Sequence, residues 1–359
     1  MTRASILVPT HNRPGTLSLS VASALAQTVD DLEVIIIGDG VTPEVREMAH
    51  QLAQDDERVV FLDLPKGEHH GEVHRDAAIR AARSDAIFYL CDDDLLLPEH
   101  VADLLDLLDN GHTFVQSLNG WIDLDGAVHR HAGSLGNSRS VEWVMEPRWH
   151  FNFISLTGTA HSRRFYEQVG RPWSTTPAGD WPDRHQWRKM LDQPGFSGAT
   201  SPRMTALQFP AAEPTRLEIT DEQKLEELTR WAELIRQPDA QHRIDLLVAD
   251  GTEAELAHYT LTLVATHVHA QETARELERA LTAERAQASE LAELRQVRDD
   301  LTLELTQVRD DLTLELQKAA ITEQALTSQL AGLRQWREEL LKTVSWRITR
   351  PLRAIRRRF

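Results

Sequence analysis

The chain of 359 residues carries 39 lysines and arginines against 56 aspartates and glutamates, a net charge of −17. Such an acidic chain is excluded as a nucleic-acid-binding protein, which needs cations facing the phosphates, while its length allows one α/β domain of ordinary size and a further region. Cys91 is the only cysteine, which excludes a disulfide within the chain and is typical of a reducing compartment.

The first third of the chain alternates strand-like and helix-like segments. Strands are predicted at residues 5–8, 33–37, 59–62 and 86–91, and helices at residues 16–26, 43–54 and 72–83. Strands separated by helices of this length indicate βαβ units, so we expect an α/β fold with a mainly parallel sheet. Ligands of such sheets bind beyond the carboxyl ends of the strands.

Polar residues follow three of these predicted strands, at residues 10–13, at Asp39 and at residues 92–94. Because the carboxyl ends of parallel strands meet at one edge, we expect a polar crevice there. The acids Asp92-Asp93-Asp94 repel one another unless they are well solvated or share a cation, and Mg²⁺ and Mn²⁺ prefer oxygen ligands. A solvated acidic turn before the helix near Pro98 is the alternative.

The composition changes twice further along the chain. Residues 114–210 are irregular and rich in tryptophan, as in an acceptor-binding half-domain or any irregular α/β segment, and the following stretch to residue 249 is mainly helical. Residues 253–341 lack proline, and residues 296–306 and 307–317 are an eleven-residue repeat that differs only at its last position.

Within and beside this repeat, an apolar stripe recurs at spacings of 3, 4, 4, 3, 4 and 4 residues: Leu294, Val297, Leu301, Leu305, Val308, Leu312 and Leu316. An eleven-residue repeat predicts a helix with about 3.67 residues per turn, nearly straight or weakly right-handed when supercoiled. Such a stripe needs a partner helix, and a second copy of the chain is the simplest source. A single solvated helix is the alternative.

Residues 342–359 carry seven lysines and arginines and no acid. Apolar residues alternate with these cations, which is typical of an amphipathic segment on an anionic membrane. The membrane is the favoured target, and an acidic patch on a partner or on a neighbouring coiled-coil rod is the alternative.

Four segments, in this order, resemble those of family 2 glycosyltransferases with the GT-A fold: residues 6–13, 33–40, 91–98 and 183–188. The resemblance covers about the first 210 residues. It implies a GT-A domain at residues 1–216, to which the sequence adds a helical connector at 217–252, a coiled coil at 253–341 and the basic tail at 342–359.

The resemblance implies an inverting transfer from a UDP- or dTDP-sugar to a hydroxyl acceptor. Asp39 would accept the ring N–H of the pyrimidine, and Arg75 and Asp76 match the Arg-Asn pair of the family beside the diphosphate. The nucleotide-binding residues expected in full are Pro9, His11, Arg13, Asp39, Arg75, Asp76 and Asp92.

Asp93 would lie nearest a divalent cation, Mn²⁺ or Mg²⁺, with Asp94 in support. Asp183 is the expected catalytic base that deprotonates the acceptor, and Asp180 is the alternative. Trp187 could stack on a sugar or belong to the core.

Gly38, Cys91 and Pro182 replace acidic residues that are usual in the family, which keeps a non-catalytic coiled-coil scaffold as the alternative function. A nucleotidyltransferase is a third hypothesis, with Lys66 as its phosphate-binding lysine. For the enzyme we expect a glycan or lipid-linked acceptor, a role in cell-surface polysaccharide or glycolipid synthesis, and a homo-oligomer formed through the coiled coil.

No signal peptide is expected, because residues 1–4 lead directly into a strand-like run. No apolar stretch approaches the ~20 residues that span a bilayer. These features predict a cytoplasmic protein, or one peripheral to the inner face of the cell membrane.

Overall fold

The computed structural model describes residues 2–147, 151–170, 173–211, 213–287 and 293–342. The chain divides into two compact units, Met1–Glu253 and Ala254–Phe359. No helix within the described ranges combines the length and apolarity needed to cross a membrane.

In chain order, the strands are β1 (Ala4–Thr10), β2 (Leu32–Asp39), β3 (Val59–Leu64), β4 (Ala86–Tyr89), β5 (Leu95–Leu96), β6 (Phe114–Gln116), β7 (Gly120–Ile122), β8 (Val128–Arg130), β9 (Thr159–Ser162), β10 (Gly198–Thr200) and β11 (Ala206–Leu207). The helices are α1 (Pro14–Leu25), α2 (Pro43–Asp55), α3 (Val73–Ala81), α4 (His100–Asp109), α5 (Ser138–Met145), α6 (Arg163–Val169), α7 (Pro182–Leu191), α8 (Pro214–Leu217), α9 (Asp221–Ile235), α10 (Ala240–Gln287) and α11 (Glu293–Lys342).

The central sheet of the first unit has the strand order β10-β6-β9-β4-β1-β2-β3. Strand β9 runs antiparallel to β4 and β6, and the other neighbouring pairs are parallel. The predicted α/β class with a mainly parallel sheet is therefore confirmed. Two small antiparallel pairs, β5 with β11 and β7 with β8, flank the central sheet.

Strand β2 is buried along its whole length, as expected for a parallel strand covered on both faces. Its side chains alternate between two cores: Val34 and Ile36 pack under α1, α2 and α4, whereas Ile35 and Ile37 pack under α3, α5, α6 and α7. The register pairs Thr10 of β1 with Gly38 of β2, so the carboxyl ends of these strands meet at one edge.

A third apolar core joins the two small sheets to the helices that follow them. Leu228 and Trp231 of α9 and Ile244 of α10 pack there against Leu95 of β5 and Leu207 of β11. Helix α9 begins with a capping box between Thr220 and Gln223. The stretch predicted as mainly helical is therefore part of the first unit and packs against its two small sheets.

In the second unit, α11 contains the predicted apolar stripe as one continuous helix. Val308 and Leu316 of the stripe are 44% and 48% exposed. Large apolar side chains that recur at helical spacing are usually buried against another element. The pairing of this face with another helix remains a prediction. The predicted basic tail, apart from Lys342, lies outside the described residues.

Candidate active site

The carboxyl ends of β1 and β4 meet through a direct hydrogen bond. The hydroxyl of Thr10, the last residue of β1, donates to Asp92 Oδ2 at 2.7 Å. Asp92 follows β4 by three residues, so the acidic segment lies at the edge of the sheet where the sequence predicted it.

Arg13 binds two of the three consecutive acids. Its Nη1 donates to Asp93 Oδ2 at 2.6 Å and to Asp92 Oδ1 at 3.2 Å. Burial, and then repulsion by Asp94 and Asp92, raise the pKa of Asp93 well above its usual value, with Arg13 opposing the rise. The acids therefore carry more buried negative charge than one arginine offsets.

Asp94 is held by contacts from two later parts of the chain. Its Oδ1 accepts from the Phe209 backbone N–H at 2.8 Å, and its Oδ2 accepts from the Thr157 hydroxyl at 2.5 Å. Burial raises the pKa of Asp94 to about 6 despite these bonds. Thr157 Oγ1 also accepts from the Cys91 N–H at 2.8 Å and thereby fixes both ends of the acidic segment.

The acidic segment offers donor atoms that fit a divalent cation. The Cys91 sulfur and one carboxylate oxygen from each of Asp93 and Asp94 lie within 4.8 Å of one another. Oxygen ligands of one Mg²⁺ lie about 2.1 Å from the ion, so small side-chain rotations would bring them onto a common ion. Burial and the adjacent carboxylates raise the pKa of Cys91 well above its usual value, which leaves Asp93 and Asp94 as the better ligands.

Asp183, in the first turn of α7, is linked to the acidic segment through two consecutive residues. Its carboxylate accepts a hydrogen bond from the Leu156 backbone N–H, and the next residue, Thr157, donates to Asp94. Burial raises the pKa of Asp183, and the positive charge of Arg75 opposes that rise. A carboxylate with a raised pKa is a better proton acceptor near neutral pH.

Asp180 has a different environment. Its Oδ1 accepts from Arg184 Nη1 at 2.9 Å and from the Trp181 backbone N–H at 2.9 Å. The Arg184 side chain is only 3% exposed, so Asp180 balances a buried charge at the start of α7. These contacts favour Asp183 over Asp180 as the base.

Arg75 is a buried cation with unused donors. Its side chain packs over the Trp173 ring at 4.8 Å, and its buried Nε and Nη1 have no hydrogen-bond partner among the described residues. Buried N–H groups of a charged guanidinium are costly without an acceptor, so an anion such as a diphosphate would fit here. The neighbouring Asp76 is already engaged, since its two oxygens accept from Tyr166 and Arg80.

Asp39, the predicted base-binding residue, is covered by the segment that follows β3. Lys66 Nζ donates to Asp39 Oδ2, and the Gly67 N–H donates to Oδ1 at 2.6 Å. Burial opposes ionisation of Asp39, but these two hydrogen bonds, together with the charges of Lys66 and His74, outweigh burial and lower the pKa. The ring Nδ1 of His11 lies 2.7 Å from the Asp39 carbonyl oxygen, and Pro9 pairs with Ile37 beside it.

Trp187 belongs to the core rather than to the crevice. It is fully buried, its Nε1 donates to the Ile154 carbonyl at 3.0 Å, and its ring packs on Tyr89, Phe114 and Trp173. Of the two roles considered for this residue, the structure therefore favours the core.

Two residues that organise the site had little or no signal in the sequence. Thr157 is 63 positions from Asp94 and stands in no motif. Lys66 was considered only as a phosphate ligand of a nucleotidyltransferase, whereas its Nζ lies on Asp39 and on the His69 carbonyl.

The sequence model of the family described as "Glycosyl transferase family 2" matches residues 5–161. The GalNAc(5)-diNAcBac-PP-undecaprenol beta-1,3-glucosyltransferase of Campylobacter jejuni is 24% identical over 142 residues, which are 40% of this chain and 46% of that protein. The succinoglycan biosynthesis protein ExoW of Rhizobium meliloti is 29% identical over 103 residues, which are 28% of this chain and 32% of that protein. The chain thus spans less than half the length of these relatives.

Among solved structures, S. aureus TarS 1-349 in complex with UDP-GlcNAc is similar at 14% identity and a TM-score of 0.47, covering 69% of this chain and 71% of that chain. The family match covers β1 to β4 and the acidic segment after β4, and so includes three of the four segments that carried the resemblance. Residues 183–188, with the expected base Asp183, lie beyond the match. The chain therefore carries a family 2 glycosyltransferase domain at residues 5–161.

Proposed function

We propose that the chain is an inverting, metal-dependent glycosyltransferase that moves a sugar from a UDP- or dTDP-sugar to a hydroxyl acceptor. The observation that carries this proposal is the link from Asp183 through Leu156 and Thr157 to Asp94, which sets a candidate base beside candidate metal ligands. Family membership supports the reaction class, and the acid cluster and Arg75 support a donor with a diphosphate.

In this proposal each residue of the crevice has one task. Asp93 and Asp94 would hold a divalent cation, whose positive charge would stabilise the departing diphosphate. Arg75 donates its free N–H groups to diphosphate oxygens. Asp183 accepts the proton of the acceptor hydroxyl as that oxygen forms its bond to the anomeric carbon.

The bond from the anomeric carbon to the phosphate oxygen breaks in the same step, and the nucleoside diphosphate leaves with the bonding electrons. Attack opposite the leaving group inverts the configuration of the sugar. Asp183 lies on α7, whereas the acidic segment follows β4. The group that acts on the acceptor and the groups that act on the leaving group thus come from different elements.

The acceptor we propose is a glycan or a lipid-linked saccharide in cell-surface polysaccharide or glycolipid synthesis. The names of the Campylobacter and Rhizobium relatives refer to an undecaprenol-linked saccharide and to succinoglycan, which supports this class. We also propose that α11 pairs with a second copy of the chain, and that the protein acts in the cytoplasm at the inner face of the membrane.

Incubation of the full chain with Mn²⁺ and a panel of UDP-, dTDP- and GDP-sugars, with released nucleotide measured by mass spectrometry, tests the proposal. Turnover is expected with a uridine or thymidine donor and should be lost in Asp93→Asn. Asp63→Asn, at an exposed acid on β3 that pairs with Arg46, is the matched control and should keep wild-type turnover. Full turnover by Asp93→Asn would refute the metal assignment.

A non-catalytic scaffold is the second candidate, and two contacts favour it. Asp39 and Asp93, which would bind donor and cation, are already paired with Lys66 and Arg13. A scaffold of this kind should show no thermal stabilisation by UDP or dTDP with Mn²⁺, whereas the proposed enzyme should be stabilised by at least one of them.

A further inference from the structure

The segment between β3 and α3 lies directly on the candidate base-binding carboxylate. We infer that residues 66–71, here called the Lys66 loop, form a gate that Lys66 holds closed over Asp39, so that Lys66 sets the affinity for the donor nucleotide. This inference rests on the proposed function, because it takes Asp39 as the acceptor for the N–H of a pyrimidine ring.

Both oxygens of Asp39 are occupied by the loop. Lys66 Nζ donates to Oδ2 and the Gly67 N–H donates to Oδ1. His74, just beyond the loop, brings its Nε2 to 3.4 Å from Oδ1. A pyrimidine ring needs one of these oxygens as the acceptor for its N–H, so the nucleotide and the loop compete for the same atoms.

The loop also fills the space next to the carboxylate. A Cβ atom built on Gly71 would lie 2.3 Å from Asp39 Cγ, so the glycine backbone itself packs on the carboxyl group. Gly71 has a φ of +62°, which favours glycine over other residues. A planar ring hydrogen-bonded to Asp39 from that side cannot fit while Gly71 stays in place.

The ends of the loop are anchored more firmly than its middle. At one end His74 Nε2 lies 2.8 Å from the Pro65 carbonyl oxygen, and at the other the buried Glu72 accepts from the Thr176 hydroxyl at 2.5 Å. Between these anchors the loop is bonded to Asp39, and Glu68 accepts from the Thr175 hydroxyl at 3.0 Å. Toward α3, the His70 N–H donates to Glu72 at 3.2 Å and the Gly71 carbonyl accepts from the His74 N–H at 3.0 Å. Displacement from Asp39 therefore leaves the loop attached at its α3 end, through Glu72 and His74, and through Glu68 in its middle.

The closed loop stores some backbone strain. His69 is a non-glycine residue at φ +50°, two positions before Gly71. A side-chain-bearing residue in the left-handed region costs free energy, which lowers the barrier against leaving the closed state. A strained segment held by an ion pair has the properties expected of a two-state element.

The chemistry of the exchange is balanced without a further reactant. The ring N–H of uracil or thymine replaces the loop as a donor to Asp39, and the Lys66 ammonium moves into solvent, to which its side chain is already 46% exposed. The apparent dissociation constant of a nucleotide equals its intrinsic constant divided by the fraction of open protein. Weakening the closed state should therefore tighten binding.

Titration of the full chain with UDP in the presence of Mn²⁺, by calorimetry, tests the gate with two variants that open it by different means. Lys66→Met removes the ion pair, and Gly71→Ala places a methyl group where the Asp39 carboxyl lies. Because an ion pair with a half-exposed lysine is modest, each variant should lower the Kd for UDP by about three- to tenfold.

The matched control is Arg58→Met, which also removes one cation paired with one aspartate, here Asp56 before β3. Arg58 precedes β3, at the edge of the sheet opposite Asp39, so its replacement should leave the Kd unchanged. Weaker binding by Lys66→Met would overturn the inference, since Lys66 would then be a ligand of the donor. An unchanged Kd in both loop variants would overturn it as well.

Hydrogen exchange gives a second readout that a simple structural role does not produce. The Gly67 amide is bonded to Asp39 in the closed state, so UDP should speed its exchange in the wild type, whereas ligands usually slow exchange near their site. Slower exchange at Gly67 with UDP would contradict the gate. If UDP bound neither the wild type nor the opened variants, the proposed function would fail together with the gate; equal binding by all of them would refute the gate alone.

Discussion

Replacing Asp183 and Asp180 separately by asparagine distinguishes the catalytic base from an acid that stabilises the fold. Both substitutions keep the shape of the side chain and remove its charge. Asp183 is partly buried, has a raised pKa and lies near the charge of Arg75, whereas Asp180 pairs with Arg184 at 2.9 Å. Asp183→Asn should therefore mainly lower activity, and Asp180→Asn should mainly lower stability.

Asp183→Asn should lower kcat by about 10²–10⁴-fold, the usual contribution of a positioned general base. Its effect on stability should be small, within about 1 kcal/mol, because relief of a buried carboxylate and loss of the counter-charge for Arg75 oppose each other. Since burial raises the pKa of Asp183, wild-type kcat should fall with decreasing pH already above the range of an exposed aspartate.

Asp180→Asn should have the opposite profile. It leaves the charge of Arg184, whose side chain is 3% exposed, without its carboxylate, at a cost of about 1–3 kcal/mol. Each kcal/mol is about 2–4 °C in Tm for a unit of this size. Nucleotide release per folded molecule, measured beside thermal unfolding, checks both variants. A large loss of kcat in Asp180→Asn, with Asp183→Asn active, would refute the assignment.

Three further predictions concern the core, the pH response and the long helix. Burial lowers the pKa of His100 from 6.5 to about 3, so between these pH values the imidazole binds a proton in the unfolded chain but not in the folded chain. Between pH 7 and pH 5, the free energy of unfolding of the wild type should therefore fall by about 2 kcal/mol more than that of His100→Gln. Equal losses for the two proteins in urea unfolding would contradict this. Trp187→Phe should lower the free energy of unfolding by about 1–3 kcal/mol and leave the acceptor KM unchanged, while a raised KM at full stability would indicate sugar stacking. In analytical ultracentrifugation, the double variant Leu305→Glu, Leu312→Glu should dissociate the oligomer. The control Leu303→Glu changes a residue outside the stripe that is 69% exposed, and it should leave the oligomer intact. An unchanged mass of the double variant would rule out pairing through this face.

The sheet could be predicted from the sequence to the extent that its strands are continuous apolar runs. Strand β2, predicted at residues 33–37, extends over Leu32–Asp39, and helix α2, predicted at 43–54, is Pro43–Asp55. Helix α3 is shorter than its predicted range of 72–83, since it spans Val73–Ala81 and the Glu72 side chain bonds Thr176. Tertiary contacts of this kind leave no local pattern.

Strand β9 could not be predicted in the same way. Its four residues, Thr159–Ser162, include only one apolar side chain, yet the strand lies in the middle of the sheet between β4 and β6. Its place is fixed by backbone pairing with both neighbours, to which β-propensity contributes little in so short a segment.

The residues of the candidate site likewise include some that a local sequence pattern predicts and some that only the folded chain brings together. Residues at strand ends, such as Asp39 and Asp92, could be found because βαβ topology brings strand ends together. The Lys66 contact on Asp39 and the Thr157 contact on Asp94 join positions 27 and 63 residues apart, and only the folded chain reveals them.

The central claim is that the acids after β4 hold a cation that contacts the diphosphate of a nucleotide. Crystals of the chain soaked with UDP and Mn²⁺, measured at an X-ray wavelength where manganese scatters anomalously, test this claim most directly. The account predicts one strong anomalous peak at coordination distance from Asp93, with phosphate oxygens on its open side. A nucleotide bound in the crevice without that peak, or a peak at other residues, would contradict it.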